Sequence, residues 1–251
     1  MEGIIVYDIE TTSVDPKTAI PRVMGFYSSK VDGYQWTADI KEMVEILNSH
    51  QIVVGYNSNN YDNTIMKRYG FSTFGKVSID LMEIVHGKGF GNDLGRKGII
   101  ITPDGKQLGS QIHSKKMSDL GVALKAPVEK LDENFDYGLF KKEWQNLSTE
   151  EMQHCLKYLR NDVDITKHIY EYLENFFEFF KNGSIKIDGV DKYFMRQEWV
   201  EKKKYLTWST ASMVYHVLCN LTDQDPKFQD TVDKQDYGGG YVAYPTQEYE
   251  E

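Results

Sequence analysis

The feature that most constrains the fold is the segment IIVYDIE at residues 4–10. Its apolar and aromatic first half predicts a strand in the core of the protein. Side chains of a strand alternate between two faces, so Asp8 and Glu10 point the same way. Like charges repel, so a core strand that ends in two carboxylates on one face needs something that offsets the repulsion. A divalent metal ion is the partner that this pattern predicts.

Length and charge bound the class of protein. The chain has 251 residues, enough for one large domain or for one domain and part of another. Its net charge of −9 argues against a protein that coats duplex DNA. The charge permits a protein that takes a single-strand end into a cleft where bound cations supply the positive charge.

Cysteine content and the amino terminus indicate the compartment. Two cysteines without CxxC or Cys/His spacing predict neither a disulfide framework nor a zinc site. Glu2 stands where a secretory signal would carry basic residues, and no apolar run is long enough to cross a membrane. We therefore expect a cytoplasmic protein, in the host cytoplasm if a virus encodes it, with no membrane partner.

Hydrophobic periodicity predicts an α/β arrangement of alternating strands and helices. A Gly-rich stretch predicts a mobile surface loop, with a phosphate cradle as the alternative, and a Pro-Asp-Gly turn further on predicts a hairpin. The predicted segments are strands at 3–9, 22–29, 33–37 and 51–57, helices at 40–50 and 61–70, an apolar segment at 76–85, the Gly-rich loop at 87–98 and the hairpin at 99–108.

The clearest predicted element is a long helix that begins at Ser148. Glu151 follows three residues later and completes a capping box, and the helix is expected to end near Asn182-Gly183. After it, residues 184–193 are turn-rich and predict a linker, and residues 206–218 predict a further helix. The apolar stripe of the long helix is Met152, Leu156, Leu159, Val163, Thr166, Ile169 or Tyr170, Leu173 and Phe176.

Two further groups of polar residues extend the carboxylate pair. Asp62 opens a short helix directly after an apolar strand, while Tyr158 and Asp162 are four residues apart and share one face of the long helix. Asp162 flanks the apolar stripe, so it can face the sheet. Taken singly, each feature has a plainer reading: a solvated strand end, an N-cap or a solvated helix edge. Together they predict a two-metal phosphodiester hydrolase in which Asp8 bridges the ions and Tyr158 lies near the attacking water.

At these residues the sequence resembles the DEDDy 3′–5′ exonucleases in the form found in family B DNA polymerases. Tyrosine four residues before the last acid is typical of the tyrosine subclass. The stretch 131–162 is also similar to the approach to the third motif in protein-primed phage and plasmid polymerases. The three matching motifs are DIET (Asp8, Glu10, Thr11), NSNNYD (Asn57, Tyr61, Asp62) and YLRND (Tyr158, Asp162).

The resemblance implies a ribonuclease-H-like fold with a mixed sheet flanked by helices. It also implies removal of nucleoside monophosphates from single-stranded DNA 3′ ends as proofreading, with two Mg²⁺ or Mn²⁺ ions. One ion would be held by Asp8, Glu10 and Asp162, and the other by Asp8 and Asp62, with Tyr158 orienting the nucleophilic water. Thr11, Asn57 and Tyr61 would hold the 3′-terminal nucleotides.

The last part of the chain resembles the junction between exonuclease and polymerase regions in that family. YGGGYV at 237–242 matches its Tyr-x-Gly-Gly motif, so Tyr237, Gly239 and Gly240 are implied to contact template DNA; the alternative is a flexible tail. We predict an exonuclease domain at 1–183, followed at 184–251 by a linker and the first piece of a polymerase palm. No palm aspartates follow the motif, so polymerisation would need palm, fingers and thumb elsewhere in the same or a second chain, acting on a primer-template.

Other charged residues have less definite predictions. Asp80, in an apolar segment, is expected to be an acid at a strand end, with support of the metal site as the alternative. Lys115 and Lys116 are candidates for phosphate contact. Lys202, Lys203 and Lys204 are expected to form a solvated helix face, with phosphate contact as the alternative. Two alternative functions stay open at this point: a free-standing exonuclease of repair or RNA turnover, and a non-catalytic nucleic-acid-binding module of a replication protein.

Overall fold

A mixed five-stranded sheet lies at the centre of the computed structural model, in the strand order β3-β2-β1-β4-β5. The structure describes residues 3–86, 100–101, 107–108, 116–131, 135–208 and 210–224. The strands are β1 (Ile4–Thr11), β2 (Pro21–Ser28), β3 (Val31–Thr37), β4 (Ile52–Gly55) and β5 (Val77–Asp80).

β1 is the middle strand and joins the antiparallel half of the sheet to the parallel half. It pairs antiparallel with β2, which pairs antiparallel with β3, and it pairs parallel with β4, which pairs parallel with β5. The predicted strands and the mixed sheet are therefore confirmed. Because β1 is flanked on both sides, its position and the direction of its side chains are tightly fixed.

Helices cover both faces of this sheet. The predicted helix at 40–50 and the short helix near 61–70 are confirmed as α1 and α2, and the apolar segment 76–85 divides into β5 and α3. The helices are α1 (Ile40–Ser49), α2 (Asp62–Lys67), α3 (Leu81–His86), α4 (Met117–Ala123), α5 (Thr149–Phe176), α6 (Glu178–Asn182), α7 (Gln197–Glu201) and α8 (Thr210–Leu221), with 3₁₀ turns at Tyr137–Lys141, Trp144–Asn146 and Lys204–Thr207.

The long helix α5 lies on one face of the sheet and begins as predicted. Ser148 is its N-cap, and the reciprocal bonds of the capping box with Glu151 are both formed. Gly25 of β2 lies directly below α5, and a Cβ atom at Gly25 would stand 2.9 Å from Leu159 Cγ and would also collide with the Tyr34 hydroxyl. The missing side chain at Gly25 is what lets the helix approach the sheet this closely.

The two faces of β1 have different surroundings. Ile5, Tyr7 and Ile9 pack with Met43 and Leu47 of α1 in a fully apolar cluster. On the opposite face, the first half of the strand is apolar: Val6 packs into the cluster that also contains residues of α5. Toward the end of the strand, however, this same α5-facing row consists of Asp8 and Glu10, which are cross-strand neighbours of Gly25 and Val23.

Three segments differ from the prediction. α5 ends at Phe176, and the separate short helix α6 follows the buried Phe177, so the continuous helix to Asn182 is corrected. In place of the linker predicted at 184–193, β8 (Ser184–Ile187) and β9 (Val190–Tyr193) form an antiparallel hairpin. Its turn residues Asp188 and Gly189 both have positive φ, as a tight hairpin requires. The helix predicted at 206–218 begins later, at Thr210.

A hairpin is confirmed within 99–108, where β6 (Ile100–Ile101) pairs antiparallel with β7 (Gln107–Leu108). The Gly-rich stretch 87–98, Lys115 and the Tyr-x-Gly-Gly residues Tyr237, Gly239 and Gly240 lie outside the described residues. Among the residues that the structure does describe, no helix is both long and apolar enough to cross a membrane.

Residues after 183 pack into the same core as the sheet. Trp199, Tyr205, Trp208 and Met213 belong to one apolar cluster with β1, β4 and α5. The predicted boundary at residue 183, and the assignment of later residues to a polymerase domain, stay predictions.

A polar contact also joins this later segment to α5. Glu174 accepts hydrogen bonds from Lys181 Nζ at 3.0 Å, Lys203 Nζ at 2.9 Å and the Tyr205 hydroxyl at 2.8 Å. Burial alone would raise the pKa of Glu174, but the hydrogen bonds and charges of Lys203, Tyr205 and Lys181 together outweigh burial and lower it. The folded state therefore favours the ionised carboxylate.

We expect Gly25→Ala to destabilise the protein by about 1–3 kcal/mol, the usual cost of overpacking a core. The added methyl group would press on Leu159 and on the Tyr34 hydroxyl. Urea denaturation measures the change. The double variant Gly25→Ala/Tyr34→Phe should recover part of the loss, because the two sites are in contact. Equal stability of Gly25→Ala and the parent would contradict this account of the helix packing.

Glu174→Gln should lower the free energy of unfolding by about 2–3 kcal/mol, because it removes charge-assisted hydrogen bonds from two ammonium groups. The folded-state pKa is lowered, so this contribution is present above the unfolded pKa of about 4.3 and is lost as pH falls through the folded pKa. Denaturation at several pH values checks both statements. Glu171→Gln is the control on the same helix: its ion pair with Lys167 is exposed, and its loss should cost less than about 1 kcal/mol.

Candidate active site

Three carboxylates meet at the end of β1. Asp8 and Glu10 reach the α5 side of the sheet from β1, and Asp162 reaches the same place from α5. Each offers an oxygen atom, and these atoms lie within 4.8 Å of one another. In the part of the chain that the structure describes, this is the one group of three or more such side chains that could hold a metal ion.

The packing of α5 places Asp162 in this group. Leu159 and Val163 are fully buried against the sheet side of the helix. Asp162 lies between them in sequence and is only 3% exposed. The predicted position of Asp162, beside the apolar stripe and facing the sheet, is therefore where the structure has it.

Lys130 is a site residue that sequence reasoning missed. Its Nζ donates a hydrogen bond to Asp162 Oδ2 at 2.7 Å and lies 5.4 Å from the ring centroid of Tyr158. Lys130 belongs to the irregular segment after α4, where no periodicity predicts which way a side chain points. It brings one positive charge to a site otherwise made of acids.

Tyr158 points from α5 into the same region, one helical turn before Asp162. Its hydroxyl lies 3.1 Å from the hydroxyl of Tyr137, and its ring centroid lies 4.1 Å from that of Phe135. Burial raises the pKa of Tyr158, and the neighbouring charge of Asp162 raises it further. The phenol therefore keeps its proton at neutral pH. Tyr137, which is half exposed, is a second residue that sequence reasoning did not assign to the site.

The carboxylates resist ionisation in this arrangement. Burial raises the pKa of Glu10, and the charges of Asp8 and Asp162 raise it further. Burial also raises the pKa of Asp8, against the opposing charge of Lys130. The site therefore has more negative charge than one lysine balances, and a bound cation would relieve the excess.

Asp62 stands beside this group rather than within it. It is the first residue of α2 and is 4% exposed. Burial raises its pKa, followed in size by the charge of Asp8. Its Oδ1 atom is buried and has no hydrogen-bond partner among the described residues. A buried acceptor in this state is costly unless something satisfies it, and a metal ion or its bound water would do so.

Of the residues predicted to hold the DNA, Tyr61 lies near the acids: burial raises the pKa of its hydroxyl, and the charges of Asp62, Glu10 and Asp8 raise it further. The hydroxyls of Thr11 and Tyr61 lie against each other, and both are within hydrogen-bond reach of the backbone oxygen of Ser13. Each hydroxyl carries one proton, so two of these three contacts are hydrogen bonds at a time. Tyr61 is half-buried and precedes α2 directly. Asn57, two residues after the end of β4, adopts a left-handed backbone with φ of 58°.

The other charged residues singled out in the sequence lie away from the three clustered acids or at the surface. Asp80 ends β5 as expected, and its carboxylate accepts hydrogen bonds from backbone N–H groups near Asn57. Lys203 is bound to Glu174, whereas Lys202 and Lys204 are exposed, which corrects the prediction that all three form a solvated face. Lys116 is exposed at the N-terminus of α4.

Comparison with solved structures places the fold. Neither a protein-family model nor a curated protein matches the sequence. The structure is similar to a family B DNA polymerase from the archaeon Pyrobaculum calidifontis, with a TM-score of 0.53 and 15% identity, over 88% of this chain and 29% of that one. The chain has the ribonuclease-H-like exonuclease fold. The predicted fold is thus confirmed, while the predicted likeness to protein-primed polymerases stays a prediction.

A looser likeness was found to E. coli exonuclease I in complex with a dT13 oligonucleotide. The TM-score is 0.42 at 10% identity, over 72% of this chain and 43% of the other. The chain spans about 29% of the length of the archaeal polymerase, so nothing about the activity of a whole polymerase follows from the shared fold.

The donor set of the site fits hard divalent cations. Carboxylate oxygens are the ligands that Mg²⁺ and Mn²⁺ prefer, and three are gathered with a fourth buried carboxylate beside them. Asp8, Glu10 and Asp162 would hold such an ion. The identity and the number of the ions stay predictions.

Glu10→Gln should raise the melting temperature of the metal-free protein by several degrees, because it removes a half-buried charge that desolvation and the neighbouring charges of Asp8 and Asp162 disfavour. The folded-state pKa of Glu10 is raised, so stability is lost as pH rises through it, and the gain should widen from pH 5 to pH 8. Thermal unfolding in EDTA measures this effect.

Mg²⁺ or Mn²⁺ should raise the melting temperature of the parent and of Glu45→Gln, which neutralises an exposed acid on α1, but should raise that of Glu10→Gln much less. If Glu10→Gln were less stable than the parent in EDTA, or if metal stabilised both proteins equally, this account of the site would be wrong.

Proposed function

We propose that this chain is a metal-dependent 3′–5′ exonuclease domain that removes nucleoside monophosphates from single-stranded DNA 3′ ends. The observation that carries the proposal is the meeting of Asp8, Glu10 and Asp162 within 4.8 Å at the end of β1. Two carboxylates on one strand and one on a facing helix can hold cations against a phosphodiester, and the buried Asp62 lies alongside.

When bound, divalent ions would make a water more acidic and neutralise the charge that develops on the phosphate. The protein's own groups orient the reactants. Tyr158, which keeps its proton, can donate a hydrogen bond to a water or phosphate oxygen and so orient the attacking water. In hydrolysis, the water oxygen bonds to phosphorus, the bond to the 3′ oxygen of the preceding nucleotide breaks, and that oxygen takes a proton.

Lys130 has two roles in this proposal. Its hydrogen bond to Asp162 fixes the orientation of that carboxylate, and its charge limits the repulsion among the acids. Both effects keep the carboxylates in place when no cation is bound.

The substrate proposal rests on the residues beside the acids. Thr11 and Tyr61 form a hydrogen-bonded pair next to Glu10, and the Tyr61 ring is exposed enough to contact a base or a sugar. Asn57 would contribute a polar contact to the 3′-terminal nucleotides. The roles of Tyr237, Gly239 and Gly240 in contacting template DNA stay predictions from the sequence.

We further propose that the domain serves as the proofreading part of a family B DNA polymerase. The likeness of its fold to part of an archaeal family B polymerase supports this context, as do the sequence motifs. Palm, fingers and thumb regions, in the same or a second chain, and a primer-template are the partners that the proposal implies.

The experiment compares two neutralised acids on one helix. Asp162→Asn removes a carboxylate of the site, whereas Asp164→Asn removes one that accepts a hydrogen bond from the Tyr27 hydroxyl at 2.6 Å, away from the site. With 5′-labelled single-stranded DNA and Mg²⁺, the parent and Asp164→Asn should produce a ladder that shortens from the 3′ end. Asp162→Asn should be slower by about a thousandfold or more, the scale expected when electrostatic stabilisation is lost.

The other outcomes separate the alternatives. A strong preference for RNA over DNA would favour a free-standing exonuclease of RNA turnover. Binding of DNA without metal-dependent cleavage by any of the three proteins would favour a non-catalytic module. Equal cleavage by Asp162→Asn and Asp164→Asn would overturn the assignment of the acids.

A further inference from the structure

The Asp80 carboxylate binds more backbone groups than a strand-end acid needs. Its Oδ1 atom accepts hydrogen bonds from the backbone N–H groups of Asn57 at 2.8 Å and Met82 at 3.0 Å. Its Oδ2 atom accepts from the N–H of Asn59 at 2.9 Å. The Met82 contact begins α3 in the manner of an N-cap, but the other two bind a different part of the chain.

That part is the loop between β4 and α2, at residues 57–61. Asn57 has a φ of 58°, in the left-handed region that asparagine tolerates better than other non-glycine residues, so the chain turns sharply at this position. The carboxylate of Asp80 holds the N–H groups on both sides of this loop's first turn. It is 2% exposed, so water does not weaken these bonds.

The sheet brings Asp80 to this position directly. β4 and β5 are parallel neighbours, and Gly55 at the end of β4 is the register partner of Asp80. Gly55 also admits the loop, because a Cβ atom there would stand 2.6 Å from Ser58 Cβ. The loop is thus held from one side by hydrogen bonds and from the other by close packing.

We propose that Asp80 is a positioning residue that holds the 57–61 loop in the conformation that binds the 3′-terminal nucleotides. This inference rests on the proposed exonuclease function and adds a residue that acts through Asn57 and Tyr61. Asp80 is not one of the three clustered acids, and its charge raises the pKa of Asp62 less than burial and the charge of Asp8 do. We therefore expect its main effect on substrate binding rather than on the chemical step.

Separate contacts hold Asp62 and make this distinction testable. Asn63 accepts a hydrogen bond from the buried Tyr7 hydroxyl at 2.6 Å and donates to Ser78 at 3.1 Å. Asn63 also donates to Asn59 Oδ1 of the loop at 3.0 Å, but its bonds to Tyr7 and Ser78 anchor α2 to β1 and β5 without Asp80. Loosening the loop should therefore move Asn57 more than Asp62.

Asp80→Asn is the decisive variant, since it keeps the shape but replaces one acceptor oxygen with an NH₂ group. That group would face a backbone N–H, donor against donor. We expect KM for a 5′-labelled single-stranded oligothymidylate to rise about tenfold or more while kcat falls less than about threefold, the pattern of lost substrate binding. The Mg²⁺ concentration for half-maximal rate should stay near that of the parent.

Two further variants test the route of the effect. Asp39→Asn is the control, because Asp39 caps α1 by accepting from Lys41 N at 2.8 Å, far along the chain from the loop. It should leave KM unchanged. Gly55→Ala displaces the loop through Ser58 while the Asp80 carboxylate stays intact, and it should raise KM as Asp80→Asn does. It also tests the inference if Asp80→Asn does not fold.

The results that would overturn the inference are distinct from failure of the proposed function. An unchanged KM in both loop variants, or a loss of kcat in Asp80→Asn as large as that of Asp162→Asn, would refute the positioning role. If the parent does not cleave DNA, the proposed function fails, and affinity for the same oligonucleotide in Ca²⁺ is then compared by fluorescence anisotropy. Equal affinity of the parent and Asp80→Asn, or no binding by either, would refute the inference as well.

Discussion

The contact on which the rest of the structure depends is the close packing of α5 over Gly25. The helix lies low enough on β1 and β2 for Asp162 to meet Asp8 and Glu10 only because β2 has no side chain at that position. A methyl group there would push against Leu159, which precedes Asp162 by less than one helical turn. The distance between the strand acids and the helix acid is therefore set by core packing. Apolar contacts, rather than attraction among the polar groups, assemble the site.

The carboxylates themselves oppose this assembly. Burial and mutual charge raise the pKa values of Glu10 and Asp62, so the folded protein without metal keeps these acids at a cost in stability. Lys130 offsets part of that cost through Asp162. Because the clustered carboxylates lower the stability of the metal-free fold, binding of a cation would raise that stability. The apolar core supplies the free energy that holds the carboxylates together until a cation binds.

Sequence patterns predicted the parts of the structure that follow local rules. Alternation along β1 indicated that Asp8 and Glu10 share a face, and the capping box at Ser148 located the start of α5. Lys130 could not be found, because it lies in an irregular segment and its partner Asp162 is 32 residues away. The helix break at Phe177 was hidden by an apolar pattern that continues through it. The hairpin at 184–193 had a signal, since Ser-Ile-Lys-Ile alternates before Asp188-Gly189, but its short strands resembled a turn-rich linker.

The length of α5 has a mechanical consequence. Asp162 and Glu174 are on the same unbroken helix, twelve residues or about 18 Å apart along its axis. Asp162 lies at the middle of the helix, and Glu174, near its C-terminal end, is bound to Lys203 and Tyr205 in the segment after the predicted domain boundary. A continuous helix is stiff along its axis, so a shift of the later segment along that axis would be transmitted to Asp162. Movement of the later segment would therefore change the distance between Asp162 and the two acids of β1.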